Sequence, residues 1–318
     1  MYIKKGGTMS FHRKVLAGLF SLLFIVAMFA GQQTAYANGW EPLVETGWLV
    51  LHLGEEDMKP VYVGFVEEKP GDGKAKFEAS HIPGSVYLGM NDLMSVMRGN
   101  NNAPDKTKFE ALMVQLGISN NSRVVLYGSP AANPFVPGTY WMMKYFGHEN
   151  VGILNGSFDK WTEEKRKTEK GAAKAGAAAA YKAKEGDSSI MANASYVMSK
   201  LKNEKVVIVD TRGEDEYKGE KKIDYIKAKG HIPGAVNLNF YPSNRIDSGL
   251  YKTAEELRKE YEQAGITKDK EIIIYCEGGP RASDTFFILK DLLGYPNVKT
   301  YVGGWLEWGN DAKYPVEK

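Results

Sequence analysis

Residues 271–281 read EIIIYCEGGPR, and this stretch indicates the fold of the second half of the chain. The four residues after Glu271 are apolar and mostly β-branched, which predicts a strand over 271–275 that is buried on both faces. A loop with two glycines follows, and apolar residues at helical spacing then run from Ser283 to Leu293. This order is typical of a parallel sheet covered by helices.

Other segments of the second half continue the alternation. Val206–Val209 and Lys299–Val302 have the short apolar character of buried strands. Thr253 can cap a helix that runs through Gln263, because Glu255 and Glu256 would lie at its positive end. Strands that alternate with helices predict an α/β fold with a parallel sheet flanked by helices.

Three segments of the second half recur in the first half. HIPGSV at 81–86 returns as HIPGAV at 231–236, and two further matches keep the same order at offsets of 148 residues. These further matches pair VVLY (124–127) with IIIY (272–275) and GSFDKW (156–161) with GWLEW (304–308). A nearly constant offset predicts a duplicated domain.

The 318 residues suit two domains of ordinary size. We predict a first domain over 38–161, a linker over 162–189 and a second domain over 190–318. The linker is rich in Lys, Glu, Gly and Ala and lacks the apolar periodicity of a core element, which favours a solvated segment.

The first 37 residues have the pattern of a targeting segment. A basic start is followed by an apolar run over 15–29, and Ala35-Tyr36-Ala37 gives the small-x-small pattern of a cleavage site. We predict a signal peptide over 1–37, cleavage after Ala37, and a periplasmic or other extracytoplasmic location without membrane contact. An uncleaved anchor is the alternative, although the run is shorter than the roughly 20 residues of a bilayer span.

Composition excludes several classes of protein. The chain has 41 Lys and Arg against 39 Asp and Glu, a balance that gives no reason to expect nucleic acid as a partner. It has five His and one Cys, without His-x-x-x-His or Cys-x-x-Cys spacing, and it has no Gly-x-x-x-x-Gly-Lys phosphate loop. We therefore expect neither a metal nor a cofactor.

The single cysteine, Cys276, cannot form an internal disulfide. It follows a predicted strand directly, and ligands bind at the carboxyl ends of strands in open α/β sheets. Amides of the Gly-rich loop, the start of the next helix and the charge of Arg281 would all favour thiolate over thiol. The alternative is a small buried structural residue, but such a cysteine needs neither Gly-Gly nor an arginine beside it.

Four motifs together resemble the rhodanese family: VDTR (209–212), GHIPGA (230–235), YCEGGPR (275–281) and GGW (303–305). Each is weak alone, but their order and spacing are specific. The resemblance covers about Glu41 to Tyr314 as two tandem rhodanese-like domains, of the thiosulfate or 3-mercaptopyruvate sulfurtransferase type.

The resemblance implies a mechanism in which the loop cysteine takes a sulfane sulfur from an anionic donor, becomes a persulfide, and passes the sulfur to cyanide or a thiol. Carried over by position, Cys276 is the catalytic nucleophile, and Arg212 and Arg281 are candidates for binding the donor. The sulfur-cradling loop comprises Glu277, Gly278, Gly279, Pro280, Arg281 and Ala282. Pro280 has no N–H, so one possible donor of that cradle is missing.

Two of these motifs also allow a structural interpretation. Asp210 and Arg212 could form a buried ion pair, alone or together with donor binding. His231 stands in a Gly-His-Ile-Pro-Gly segment that is typical of a rigid turn, and the resemblance gives it a supporting role rather than catalysis.

The first copy lacks the thiol. Gly128 stands where Cys276 stands in the second copy, and prolines replace the loop pattern. Gly64-Phe65-Val66 aligns with the Asp-x-Arg pair. We predict that the first domain is inactive and walls the active site of the second.

Alternatives from other classes remain open at this point. One is a sulfur carrier or binding module that does not turn over and hands sulfur to a protein acceptor. Another is a cysteine-dependent phosphatase or arsenate reductase, but those phosphatases place one residue more between cysteine and arginine than the four found here. In the family that the chain resembles, 3-mercaptopyruvate enzymes tend to carry a small, neutral loop and thiosulfate enzymes tend to carry basic loop residues. Because this loop has one acid, Glu277, and one base, Arg281, the resemblance favours thiosulfate as donor, with polysulfide and 3-mercaptopyruvate as the alternatives.

Overall fold

Two parallel sheets, one in each half of the chain, organise the computed structural model, which describes residues 40–65, 72–99, 103–173, 180–221 and 223–318. Each sheet has five strands, and the two strand orders correspond position by position. The predicted α/β fold of two tandem domains is confirmed. The predicted signal peptide over 1–37 lies outside the described residues, and none of the described helices is long and apolar enough to cross a bilayer.

The first sheet has the order β1-β5-β4-β2-β3. Its strands are β1 (Leu43–Val44), β2 (Met58–Val63), β3 (Val86–Leu88), β4 (Arg123–Tyr127) and β5 (Val151–Leu154). The helices around it are α1 (Thr46–His52), α2 (Asp72–Ala79), α3 (Met90–Met97), α4 (Lys106–Gln115), α5 (Phe135–Tyr145) and α6 (Ser157–Glu163).

The second sheet has the order β6-β10-β9-β7-β8. Its strands are β6 (Met191–Ala192), β7 (Val206–Asp210), β8 (Val236–Asn237), β9 (Glu271–Tyr275) and β10 (Val298–Tyr301). The helices around it are α7 (Ala194–Lys200), α8 (Glu214–Tyr217), α9 (Phe240–Asn244), α10 (Ala254–Gln263), α11 (Pro280–Phe286) and α12 (Gly304–Trp308).

Local sequence signals predicted the bounds of several of these elements to within a few residues. Thr253 caps α10 in a capping box with Glu256, and β9 has the bounds that its apolar run predicts. The helix expected over 283–293 begins earlier, at Pro280, because the fixed φ of proline suits the first helical position. From Phe287 to Leu292 it continues as π-helical turns, which the apolar spacing did not indicate.

The His-Ile-Pro-Gly turn, which follows Ser80 in the first domain and Gly230 in the second, closes both domains in the same way. In each, the histidine Nδ1 contacts a backbone carbonyl and the histidine backbone pairs with a glutamate from a distant segment. These partners are Phe77 (2.8 Å) and Glu169 for His81, and Tyr217 (2.9 Å) and Glu317 for His231. The repeated motif therefore encodes a repeated tertiary contact.

The two domains share a hydrophobic core. Helix α5 of the first domain packs against α11 and the π-helical turns of the second, and the ring centroids of Tyr140 and Phe287 lie 4.8 Å apart. Gly138 allows the close approach, because a Cβ there would lie 3.4 Å from Pro280 Cα. The first domain thus braces the helix that follows the cysteine loop.

The described parts of the predicted linker are only partly solvated. Tyr181 and Ala183 are buried in the first domain, and the Lys184 amide donates to the Phe146 carbonyl over 3.0 Å. Tyr181 is the one large apolar side chain in the sequence from 162 to 189, which gives too little periodicity for the sequence to reveal this packing.

Substitution Phe287→Ala should lower the free energy of unfolding by about 3–5 kcal/mol, because it opens a cavity where the two domains meet. Urea unfolding followed by fluorescence and circular dichroism measures the change. Leu51→Ala, at a side chain that is 79% exposed, is the control and should have almost no effect. A Phe287→Ala protein as stable as this control would contradict the shared core.

Candidate active site

Cys276 lies at the carboxyl end of β9, between β7 and β10 in the sheet. The residue is 1% exposed, and its Sγ accepts a hydrogen bond from the Gly279 amide at 3.1 Å. Its own carbonyl accepts from the Trp305 amide at 2.8 Å. The cysteine is therefore fixed on both sides, and one peptide dipole of the loop points at its sulfur.

Two glycines give the loop its shape. Gly279 has φ +107°, and a Cβ there would lie 3.1 Å from the Met97 Cε. Gly304, from the GGW motif, has φ +55°, and a Cβ there would lie 2.5 Å from the Cys276 carbonyl oxygen. Gly279 needs glycine because of its positive φ, and Gly304 needs it both for its φ and because a Cβ there would collide with the backbone of the cysteine loop.

A cavity of about 710 Å³ opens above the cysteine, and both domains line it. The first domain contributes Phe65, Met90, Asn91, Met94, Arg98, Pro134 and Phe135. The second contributes Glu216, Lys221, Ile223, Tyr225, Cys276, Glu277, Gly278, Pro280 and Arg281. The thiol-free domain thus forms one wall of the cavity, as the sequence led us to expect.

Arg281 is held in place by carboxylates. Its guanidinium donates to Glu216 at 2.7 and 3.1 Å and lies 3.5 Å from a Glu277 oxygen. Burial opposes the charge, but the bonds to Glu216 and the negative charges of Cys276 and Glu277 raise the Arg281 pKa. The same pairing outweighs burial and lowers the pKa of Glu216. Arg281 is therefore a fixed, permanently charged group that faces the cavity.

Glu277 lines the cavity. It accepts a hydrogen bond from the Tyr225 hydroxyl, which comes from the segment between α8 and β8. Burial and the Glu277 carboxylate raise the pKa of Tyr225 to about 12, so this phenol stays a donor at neutral pH. This contact joins the loop to the segment between α8 and β8, which also contributes Lys221 to the cavity.

Arg212 points into the protein. Its guanidinium donates to Asp210 at 2.6 Å and to the Gly230 carbonyl at 2.8 Å, and it stacks over Trp305 at 4.7 Å from the ring centroid. Burial opposes its charge, but the bonds to Asp210 raise the pKa of Arg212. Arg212 does not line the cavity. The geometry is that of the buried ion pair, and donor binding by Arg212 stays a prediction without a contact to support it.

The remaining predicted residues lie around the loop or behind it. Gly278 and Pro280 line the cavity, whereas Ala282 is fully buried in α11. His231 is 4% exposed and its ring stacks on Tyr217 with 3.7 Å between centroids. It makes the contacts that His81 makes in the domain without a thiol, which argues for support and against catalysis.

Sequence reasoning missed Glu216, Tyr225 and Arg98. None belongs to a recognisable motif, and each lies in a part of the chain distant from the cysteine loop. Glu216 could have been suspected from the three acids that begin α8, but nothing in that run identifies its partner.

In the first domain, other side chains fill the position of the thiol. A Cβ at Gly128 would lie 2.8 Å from Asn133 Nδ2 and 2.9 Å from the Val63 carbonyl oxygen. Asp159 accepts from the Ala131 amide at 2.7 Å and from the Ser129 hydroxyl at 2.8 Å, so its carboxylate occupies the loop donors.

The strand register also corrects one alignment. Tyr62 pairs with Tyr127 as Asp210 pairs with Tyr275, so Tyr62 and not Gly64 takes the position of Asp210. Strand β2 has neither an Asp nor an Arg to mark the matching position, so the alignment from sequence alone is two residues out of register.

A family model described as a rhodanese-like domain matches residues 71–164 and again residues 193–311. The chain belongs to the rhodanese family. A sulfur carrier protein of Thermus thermophilus is 38% identical over an alignment of 291 residues, and the match covers 87% of this chain and 97% of that relative. A putative thiosulfate sulfurtransferase of Saccharopolyspora erythraea is 34% identical over 284 residues, with 87% and 96% covered. The family model and these relatives show that the chain is a sulfurtransferase.

Solved structures share the fold. YnjE superposes with a TM-score of 0.72 at 25% identity, covering 87% of this rhodanese and 68% of that chain. An anaerobic ergothioneine biosynthesis enzyme from Chlorobium limicola gives a TM-score of 0.76 at 24% identity, with 87% and 70% covered. At that identity the second likeness concerns the fold alone.

Arg212→Gln should lower the free energy of unfolding by about 3–5 kcal/mol, because Asp210 would remain buried without its partner. The KM for a sulfur donor should stay nearly constant in the folded variant. Chemical unfolding and steady-state kinetics test the two expectations. Replacing both partners, as Asp210→Asn with Arg212→Leu, should recover part of the stability. A raised KM at unchanged stability would instead establish donor binding by Arg212.

Gly128→Cys should not create a second active site. In a Cys276→Ser background, mass spectrometry after treatment with thiosulfate should find no sulfur on the new thiol, because Asn133 crowds that position and Asp159 already accepts from the Ala131 amide and the Ser129 hydroxyl. Overpacking should also cost about 1–3 kcal/mol of stability. Wild type and the Cys276→Ser single variant are the positive and negative controls. A sulfur adduct on residue 128 would show that the first domain lacks only its thiol.

Proposed function

We propose that this rhodanese moves a sulfane sulfur from thiosulfate to cyanide or a thiol through a persulfide on Cys276. The observation that carries the proposal is the 3.1 Å hydrogen bond from the Gly279 amide to Sγ at the floor of a cavity that Arg281 faces. A peptide N–H and a fixed cation both stabilise a sulfur anion, which is the reactive form of a thiol and the resting form of a persulfide.

The first half-reaction is a displacement at sulfur. The Cys276 thiolate attacks the outer sulfur of thiosulfate, a new S–S bond forms, and the old S–S bond breaks. Sulfite leaves with the electron pair of that bond, and the terminal persulfide sulfur carries the negative charge. No proton needs to move in this step, so no general base is required. The buried position of His231 agrees with this.

In the second half-reaction an acceptor nucleophile attacks the terminal persulfide sulfur. Cyanide becomes thiocyanate, or a thiolate becomes a hydropersulfide, and Cys276 leaves again as a thiolate. The Cys276 thiolate is the nucleophile of the first half-reaction and the leaving group of the second. The Gly279 amide and Arg281 therefore stabilise the sulfur anion in both half-reactions. The relatives named as putative thiosulfate sulfurtransferases support thiosulfate ahead of polysulfide and 3-mercaptopyruvate.

The second candidate is a sulfur carrier that delivers to a protein acceptor and does not turn over with small molecules. It is favoured by the relative named as a sulfur carrier protein. The cavity opens beside the exposed Tyr225, so a protruding thiol of a partner could approach it. Repeated turnover with small acceptors separates the enzyme from the carrier.

We also propose that the protein acts outside the cytoplasm. Support comes from the basic start, the apolar run over 15–29 and the Ala35-Tyr36-Ala37 pattern. N-terminal sequencing of the secreted or periplasmic protein would test cleavage after Ala37.

Cys276→Ser should reduce thiosulfate:cyanide transfer to the uncatalysed rate, because serine cannot carry the sulfur. In the wild type, thiosulfate should add about 32 Da to the peptide containing Cys276, and cyanide should remove it. Initial rates with thiosulfate, polysulfide and 3-mercaptopyruvate rank the donors. Equal rates in wild type and Cys276→Ser would refute the enzyme, whereas labelling of Cys276 without repeated cycles would favour the carrier.

A further inference from the structure

A buried carboxylate lies one turn behind the cysteine loop. Asp284 is the fifth residue of α11, and its side chain is fully buried. Its oxygens accept hydrogen bonds from the Tyr251 hydroxyl at 2.6 Å, from the Arg245 guanidinium at 2.7 Å and from the Asn244 side-chain amide at 2.8 Å. Three donors from outside the helix therefore fix this carboxylate in place.

These donors belong to a buried polar group of five residues, which we call the Asp284 cluster: Asn244, Arg245, Tyr251, Tyr261 and Asp284. The Tyr261 hydroxyl of α10 donates to the Asn244 side-chain oxygen at 2.5 Å, and the Arg245 guanidinium lies 3.7 Å from the Tyr251 ring centroid. All five side chains are buried, and none of them lines the cavity above the cysteine. The two half-reactions give these polar groups no direct part.

Helix α11 connects the Asp284 cluster to the sulfur. Gly279 precedes this helix, and its carbonyl accepts hydrogen bonds from the Ser283 amide and the Ser283 hydroxyl, both at 3.1 Å. The amide of the same glycine donates to Cys276 Sγ. The orientation of Gly279 therefore depends on the first turn of α11. Asp284 is the neighbour of Ser283, and it ties that turn to the rest of the second domain.

The first domain contacts the turn that carries two of the three donors. Arg245 and Tyr251 pair with each other across this turn, and the Tyr251 amide donates to the Asn155 side-chain oxygen at 3.1 Å. At the tip of the turn, a Cβ at Gly249 would lie 2.7 Å from the Ala131 Cβ. Ala131 lies in the segment that replaces the cysteine loop in the first domain. The domain without a thiol therefore holds the Asp284 cluster from the other side.

We infer that the Asp284 cluster positions the Gly279 amide, and that the first domain sets the reactivity of Cys276 through it. Tyr251, Asp284 and Asn155 are positioning residues, because they act on the sulfur only through α11. A hydrogen bond weakens steeply as it bends, so a small rotation of the first turn of α11 would reduce the stabilisation of a sulfur anion. The effect on catalysis rests on the proposed function of Cys276, whereas the effect on the thiol does not.

The test uses the single cysteine of the full chain as a reporter. Iodoacetamide reacts with a thiolate, so the second-order rate of alkylation at pH 7 measures the reactivity of the sulfur without any sulfur donor. Tyr251→Phe removes the hydroxyl that donates to Asp284 and keeps the ring that packs on Phe287. Asp284→Asn is less suitable, because it leaves the Arg245 charge buried without its partner.

In Tyr251→Phe, alkylation should slow about threefold. In single turnovers with thiosulfate, the maximal rate of persulfide formation should fall by a similar factor. The half-saturating thiosulfate concentration should stay constant, because the residues that line the cavity are unchanged. Asn155→Ala, which releases the Tyr251 amide, should slow alkylation about twofold.

Tyr295→Phe is the matched control. Tyr295 is another buried tyrosine of the second domain, but its hydroxyl donates to the Ile266 carbonyl at 3.3 Å and lies outside the Asp284 cluster. This variant should react with iodoacetamide and with thiosulfate at the wild-type rates. Circular dichroism at the assay temperature establishes that each variant is folded.

The outcomes separate the inference from the proposed function. If Tyr251→Phe is alkylated at the wild-type rate, or if Tyr295→Phe slows equally, the Asp284 cluster only stabilises the fold and the inference is wrong. If Tyr251→Phe slows alkylation but Asn155→Ala does not, the part assigned to the first domain is wrong. If the wild type forms no persulfide while the differences in alkylation remain, the sulfurtransferase proposal fails and the positioning of the thiol stands.

Discussion

The hydrogen bond from the Gly279 amide to Cys276 Sγ is the contact on which the site depends, since it turns a buried thiol into a position where a sulfur anion is stabilised. It exists only because the loop folds tightly at the end of β9. Gly279 has a φ that other residues rarely adopt, and Gly304 leaves room for the carbonyl of the cysteine. The motifs GGPR and GGW are therefore both needed for the cysteine loop to fold tightly.

Duplication gave the chain two copies of this strand end, and the copies diverged in how they stabilise it. In the second domain a buried Asp210–Arg212 pair lies under the loop, and the Tyr275 hydroxyl donates to Asp210. In the first, Tyr62 occupies the position of Asp210 and packs on the ring of Tyr127 with 5.3 Å between centroids. An aromatic cluster thus replaces a buried ion pair, which is consistent with a copy that needs only to be stable.

The pairing of charges explains what each arginine can do. An arginine bound by carboxylates keeps its charge and is held in position, as Arg281 is by Glu216 and Glu277. Such a group stabilises charge that develops next to it without needing to move.

The sequence by itself determined the parts that depend on local pattern: the duplication, the alternating strands and helices, the cap at Thr253, and Cys276 with its glycine loop. Burial periodicity, capping and glycine conformations act over a few residues, so neighbouring letters suffice to reveal them. Only the tertiary structure decided that Arg212 faces inward, that Glu216 and Tyr225 hold the loop, and that Arg98 crosses from the other domain. Those facts depend on which charged groups come together after segments distant in sequence have packed. The residues that neighbour a charged residue in the sequence do not identify its ion-pair partner.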